Sequence, residues 1–156
     1  MAAPIIVTAT LPAHYAHARR LFEDYQRWLG IDLSFQNFTE ELDQISTIYG
    51  PPLGTLLLIK ANDRYVGCVG LRGLEGNLAE MKRMYLEETF RGRGLGRALT
   101  KECISVARGL GYSAIRLDTI PRLNIALTIY RELGFVNIAP YRHNPDPGAI
   151  FLELKL

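Results

Sequence analysis

The sequence predicts an α/β fold on a mixed sheet, and three features of it carry that prediction. Three apolar segments, at 55–60, 65–71 and 78–86, follow one another with turn-rich Asn62-Asp63 and 73–77 between them, which reads as an antiparallel meander. Two later segments, 95–110 and 123–133, keep their apolar residues on one helical face, with the strand-like run Ala114-Ile115-Arg116-Leu117-Asp118 between them. The third is the run Arg91-Gly92-Arg93-Gly94-Leu95-Gly96-Arg97, placed where a strand passes into a helix. A chain of 156 residues suits one domain, expected to span 1–156.

The elements follow in order. Ile5-Ile6-Val7-Thr8 is a short first strand, and Pro12 suits the first turn of a helix whose inner face is Ala18, Leu21, Phe22, Tyr25 and Leu29. Gly30 ends it. A second helix opens near Asn37 or Thr39, with Glu40 and Glu41 in its first turn and Phe38, Leu42 and Ile45 inward. Tyr49-Gly50-Pro51-Pro52 breaks that helix before the meander begins. Beyond the glycine run, Leu95, Ala98, Leu99, Cys103, Val106, Ala107 and Leu110 line one side of a helix that stops near 109–111. The helix over 123–133 stops at Gly134. Strands at 135–138 and 149–154 close the sheet around a loop holding Pro140, Pro145 and Pro147.

Composition narrows the function classes. The net charge of +2 is too small for a nucleic-acid surface, because the arginines gather at 91, 93 and 97 instead of painting a face. No apolar run approaches membrane-spanning length, and the first residues lack the basic start and apolar core of a secretory signal. Cys68 and Cys103 read as free, buried thiols of a reducing compartment, so a cytoplasmic protein without membrane or nucleic-acid partners is expected. His14 and His17 have metal-compatible spacing but no Cys or carboxylate cluster beside them; they read as solvated, and no metal is expected. His143 reads as an exposed loop residue.

The glycine run is built to hold phosphate. Glycines at 92, 94 and 96 leave backbone N–H groups uncovered, three arginines add positive charge, and the following helix aims its positive dipole end at them. Two common phosphate loops fail on spacing. No glycine is followed by lysine and a hydroxyl residue, as a Walker A loop requires. A G-x-G-x-x-G/A dinucleotide register puts Arg97 or Leu99 in the last slot.

Arg91-Gly92-Arg93-Gly94-Leu95-Gly96 resembles the R/Q-x-x-G-x-G/A acyl-CoA signature of the GNAT N-acetyltransferase superfamily. Residues 80–86, Glu80-Met81-Lys82-Arg83-Met84-Tyr85-Leu86, look like that family's central strand, and Leu117-Asp118-Thr119 like its next strand. Asn124-Ile125-Ala126-Leu127-Thr128-Ile129-Tyr130-Arg131-Glu132-Leu133-Gly134-Phe135 looks like its N-x-x-A-x-x-x-Y-x-x-x-G-F element. The resemblance covers essentially the whole chain. It implies a mostly antiparallel sheet of six to seven strands flanked by about four helices.

It also implies an activity: transfer of acetyl from acetyl-CoA, as cosubstrate, to an amine-bearing acceptor. By position, the amides of 92–97, with Arg91, Arg93, Leu95 and Arg97, would cradle the pyrophosphate. The backbone of Met84, Tyr85 and Leu86 would take the pantetheine and acyl carbonyl, with Thr119 and Asn124 opposite. Tyr130 matches the family tyrosine that protonates the leaving sulfur, and an ordinary phenol, with a pKa of about 10, is a competent donor at neutral pH. Glu80 matches a position that often supplies the base, directly or through water; as a strand carboxylate it also suits a pair with Lys82 or Arg83. Asn124 equally suits a helix cap. The acceptor walls would be 29–36, offering Asp32 and Phe35, and 141–144, offering Tyr141; Phe35 also suits the core. Neither cysteine has the setting of an acyl-carrying nucleophile, which disfavours a covalent intermediate. A non-catalytic acyl-CoA sensor is the alternative, although it would have no need of Tyr130 and Glu80. Members of the family often dimerise, which leaves a homodimer open.

Overall fold

The computed structural model of the protein describes residues 3–156. Strand β1 (Ile5–Thr8) leads into helix α1 (Pro12–Leu29), with proline at the first helical position. His14 stays partly exposed and also caps the helix: its Nδ1 accepts the N–H groups of Thr10 and Leu11 at 3.0 and 3.1 Å, covering two donors that the helix start leaves unused. His14 and His17 both lie against the Tyr65 ring. Gly30, at φ 71°, supplies the left-handed turn that ends α1.

The expected second helix is divided. A 3-10 turn (Leu33–Gln36) is followed by α2 (Phe38–Asp43) and α3 (Ile45–Ile48), because Gln44, at φ −115° and ψ 25°, leaves the helical region between them. The meander is β2 (Thr55–Ala61), β3 (Arg64–Gly73) and β4 (Leu78–Leu86), followed by α4 (Leu95–Gly109), β5 (Ala114–Thr119) and α5 (Asn124–Glu132). Strands β6 (Val136–Asn137) and β7 (Ile150–Lys155) finish the fold. The sheet order is β1-β2-β3-β4-β5-β7-β6, and every pairing is antiparallel except β4 with β5.

Apolar residues fill both faces of the sheet. On one side Leu99, Cys103 and Ala107 of α4 pack on Leu57, Val69, Ala79 and Met81. On the other, Leu21 and Phe22 of α1 pack on Leu56, Leu58 and Tyr49. Each fully buried leucine or phenylalanine contributes roughly 1.5–3 kcal/mol relative to exposure.

Two irregularities in β4 prepare the site. Cys68 pairs with Tyr85 but Gly70 with Lys82, so β4 carries one extra residue between them, and Arg83 there has φ 63°. The bulge shifts the alternation, so that Met84 and Leu86 join Ala79 and Met81 on the α4 face while Tyr85 turns to the α1 face. In addition, β4 is hydrogen-bonded to β5 only where Leu78, Ala79 and Glu80 face Ala114, Ile115 and Arg116. Beyond those pairs the two strands part.

Candidate active site

The parting of β4 and β5 opens a cleft of about 320 Å³. Its walls include Met84, Tyr85 and Leu86 from β4, Asp118 and Thr119 from β5, and Asn124 and Tyr130 from α5. Arg91, Gly92, Gly94, Leu95, Gly96 and Arg97 line one end, at the N-terminus of α4. These residues are far apart in sequence, and the structure brings them to one space as the motif spacing predicts.

The loop is shaped for a close ligand. Gly92 and Gly94 have φ 76° and 79°, a region that costs an L-residue roughly 1–2 kcal/mol, and a Cβ on either would meet no protein atom within 4 Å. The open space beside them is cleft or solvent, so backbone N–H groups at a helix N-terminus are left uncovered. The arginines divide. Arg91 donates from Nε to the Leu86 carbonyl at 2.8 Å and stacks on Trp28 and Tyr85, 4.5 and 5.6 Å from the ring centres. It therefore ties the loop to the end of β4. Arg97 is paired with Glu132, and Arg93 stacks on Phe90 outside the lining of the cleft.

Tyr130 is buried, with its ring 5.7 Å from that of Phe135, and burial pushes its phenol well above the ordinary tyrosine value. The hydroxyl is thus held protonated. Asn124 stands at the first helical position of α5 without a side-chain capping bond.

Glu80 departs from its expected place. It is fully buried, its Oε2 accepts from Tyr141 Oη at 2.7 Å and from Arg142, and it does not line the cleft. Tyr141 is drawn into this same network, with its ring against Phe151, and it does not line the cleft either. Asp32 is exposed and occupied in capping, accepting the Ser34 N–H at 2.9 Å. Phe35 does line the cleft, and the edge of its ring contact meets His143, joining the two predicted walls. From the second wall the cleft receives Asn144, whose Nδ2 donates to Asp118 Oδ2 at 3.0 Å.

Sequence reasoning missed three groups. Tyr25 and Trp28, one turn apart on α1, line the cleft beside Tyr85. Glu41 and Arg83 form a buried bidentate pair, at 2.8 and 3.0 Å, that also takes the Tyr49 hydroxyl at 2.9 Å. Burial alone would raise the Glu41 carboxyl, but the hydrogen bonds and charge of Arg83 outweigh it and hold the group below the usual range. Tyr49 in turn lies flat over Gly70, where any Cβ would stand 2.6 Å from the ring. Lys82 is the third, buried at 6% exposure with its Nζ donating to Gln36 Oε1 at 2.8 Å.

The Acetyltransferase (GNAT) family model matches residues 16–135, three quarters of the chain. The chain belongs to the GNAT family. This GNAT protein is 37% identical over 155 residues to an uncharacterized N-acetyltransferase of Schizosaccharomyces pombe, covering 97% of this chain and 94% of that one. A GNAT-family acetyltransferase structure from Staphylococcus aureus superimposes with a TM-score of 0.81 at 22% identity, covering 98% of this chain and 99% of that one. The PaiA N-acetyltransferase of Thermoplasma acidophilum, solved with coenzyme A, matches at a TM-score of 0.71 and 17% identity, covering 99% and 100%. The GNAT fold and an acetyl-CoA-dependent N-acetyltransferase activity follow. Among the described residues the seven strands fall within the expected range, and the fifth helix comes from the division at Gln44. Among the described residues no helix is long and apolar enough to cross a membrane.

Proposed function

We propose that the protein moves acetyl from acetyl-CoA to a primary amine by direct attack, with both substrates held together in the cleft between β4 and β5. The observation that carries this reading is the parting of those strands at Glu80 and Arg116, which frees β4 backbone beside a buried, protonated Tyr130. Acetyl-CoA supplies the activated acyl thioester when bound. The amides of 92–97 hold its pyrophosphate, and the Met84 and Leu86 backbone orients the acyl group and offers N–H donation where the carbonyl oxygen gains charge. Thr119 and Asn124 flank the pantetheine arm from β5 and α5.

Tyr130 gives a hydrogen bond to the sulfur as the C–S bond breaks. Its raised pKa makes outright loss of the proton uphill, so the proton released by the acceptor nitrogen replaces it, and the thiol leaves neutral. Asp118, the carboxylate lining the cleft, holds the incoming ammonium before it gives a proton to water. Glu80 acts as a positioning residue, fixing Tyr141 and Arg142 behind the acceptor wall.

Direct attack is supported by the state of both cysteines. Each is free and buried, Cys103 is pushed up to about 12 by burial, and Cys68 is raised further still. Neither supplies a thiolate at neutral pH. These thiols also fit a reducing, cytoplasmic setting. Intact-protein mass spectrometry tests the route. With acetyl-CoA alone the protein mass stays unchanged, whereas adding acceptor amines releases CoA thiol; stoichiometric acetylation of the protein that an added amine then removes would contradict direct attack.

A further inference from the structure

The acceptor end of the cleft holds one buried ammonium, that of Lys82, with no carboxylate partner among the described residues. Glu41 is taken by Arg83, and Glu80 by Arg142, with Arg72 Nε 3.9 Å from its other oxygen. Lys82 is left with a neutral amide, Gln36, as its hydrogen-bond partner. Of the four basic side chains here, Lys82, Arg72, Arg83 and Arg142, Lys82 alone has no carboxylate within ion-pair distance among the described residues, although Glu40, Glu41, Glu80 and Asp118 all lie in this region. Glu80 Oε1 and Arg142 Nε are both buried without a hydrogen-bond partner among the described residues. A second cavity of about 310 Å³ shares Phe35 and Gln36 with the cleft, and Glu40, Glu41, Arg72 and Arg142 line it. The one carboxylate that lines the cleft, Asp118, is also held by a neutral partner, Asn144.

We propose that the acceptor completes this charge set: it is an amine that also carries a carboxylate, and Lys82 receives that carboxylate while Asp118 faces the amine. The inference rests on the acetyl-transfer reading above and gives it a substrate class. Leu33, Phe35 and Ile120 line the same cleft and suit an apolar body between the two charges. A buried cation with a neutral partner is costly, and an entering carboxylate supplies the missing counter-charge.

The charges around Lys82 also give the site a proton signature. Glu80 and Arg83 flank it on β4, Arg142 acts on it from the loop before β7 and Glu41 from α2, while Arg72 of β3 pairs with Glu80 and Asp118 of β5 lines the same cleft. Burial first, then Arg83, pulls the Lys82 ammonium down to about 7 against the opposing pull of Glu80 and Glu41. A bound carboxylate reverses that pull, so the anion enters together with a proton.

Binding of N-acetylphenylalanine, N-acetylleucine and N-acetylaspartate, each compared with its α-carboxamide, tests this by calorimetry on the protein saturated with CoA. These probes have no titrating amine, and the matching carboxamide, measured on the same CoA-loaded protein, subtracts any titration of CoA itself. At about pH 6 at least one acid binds about tenfold or more tighter than its amide, a gap that narrows towards about pH 9 as Lys82 loses its proton. Around neutral pH the heat of acid binding depends on the buffer, reporting proton uptake. Lys82→Met, which keeps the side-chain length and removes the charge, brings the acid-to-amide ratio close to one. Equal affinity for every acid and its amide in the unaltered protein would overturn the carboxylate subsite, while CoA release with free amines still upheld acetyl transfer. No CoA release with any free amine, carboxylated or not, in a protein that binds acetyl-CoA would overturn the transfer reading and this inference with it.

Discussion

Tyr130→Phe lowers kcat by about 10²–10⁴-fold, equivalent to roughly 3–5 kcal/mol of barrier, while leaving the fold and CoA affinity nearly intact. The ring keeps its place against Phe135, so packing survives; what is lost is the hydrogen bond to the departing sulfur. Because that bond forms as the C–S bond breaks, kcat and kcat/KM fall together, and KM for acetyl-CoA changes little. Steady-state rates at saturating acetyl-CoA, with an acceptor for which chemistry limits turnover, measure the effect. Near-full kcat in the variant would reduce Tyr130 to a packing residue.

Glu41→Ala removes about 3–5 kcal/mol of stability, measured by urea denaturation. The cost arises because Arg83 stays buried with its carboxylate gone and the Tyr49 hydroxyl loses its acceptor. That loss is a large part of the roughly 5–15 kcal/mol that holds a domain together. It falls on the bulge as well, since Arg83 holds its left-handed backbone there through this pair. The pH dependence has a definite sign. Glu41 is held below its ordinary value in the folded state, so its contribution is fully present above the unfolded carboxylate range, near pH 4.3, and is lost as pH falls through the lower folded value. In the unaltered protein acid therefore narrows the stability gap between the two forms. A gap under about 1 kcal/mol at neutral pH would show that the pair is replaceable.

The cofactor end of the site was legible in the sequence because backbone dominates there. Glycine spacing, the strand before it and the helix after it are local properties, and Gly92 and Gly94 adopt the positive φ that the motif implies. The acceptor end was legible only in outline: Phe35 lines the cleft as expected, but where the bulge at Arg83 sends the β4 side chains was not. Strict alternation would place Ala79, Met81, Arg83 and Tyr85 on one face. One extra residue instead sends Arg83 to Glu41 and brings Met84 and Leu86 round to α4. The partners of β4 arrive from residues 36, 41, 141 and 142, at separations that no local period encodes. Glu80 was legible as a carboxylate on the right strand, but its burial beneath Tyr141 and Arg142 depends on how a proline-rich loop folds back. The lack of a carboxylate partner for Lys82 has the same origin. It emerges only when Arg72, Arg83 and Arg142 take the nearby buried carboxylates Glu41 and Glu80 and leave Lys82 with Gln36.

The claim on which the catalytic reading stands is that acetyl-CoA lies along the freed backbone of β4 with its pyrophosphate on the loop before α4. Amide hydrogen exchange, compared with and without acetyl-CoA, measures this directly. Binding slows exchange at residues 84–86 and 92–97 together, with smaller effects at 119 and 124, and leaves the edge strands β1 and β6 unchanged. Acetyl-CoA that binds while 84–86 and 92–97 exchange as fast as before would contradict it.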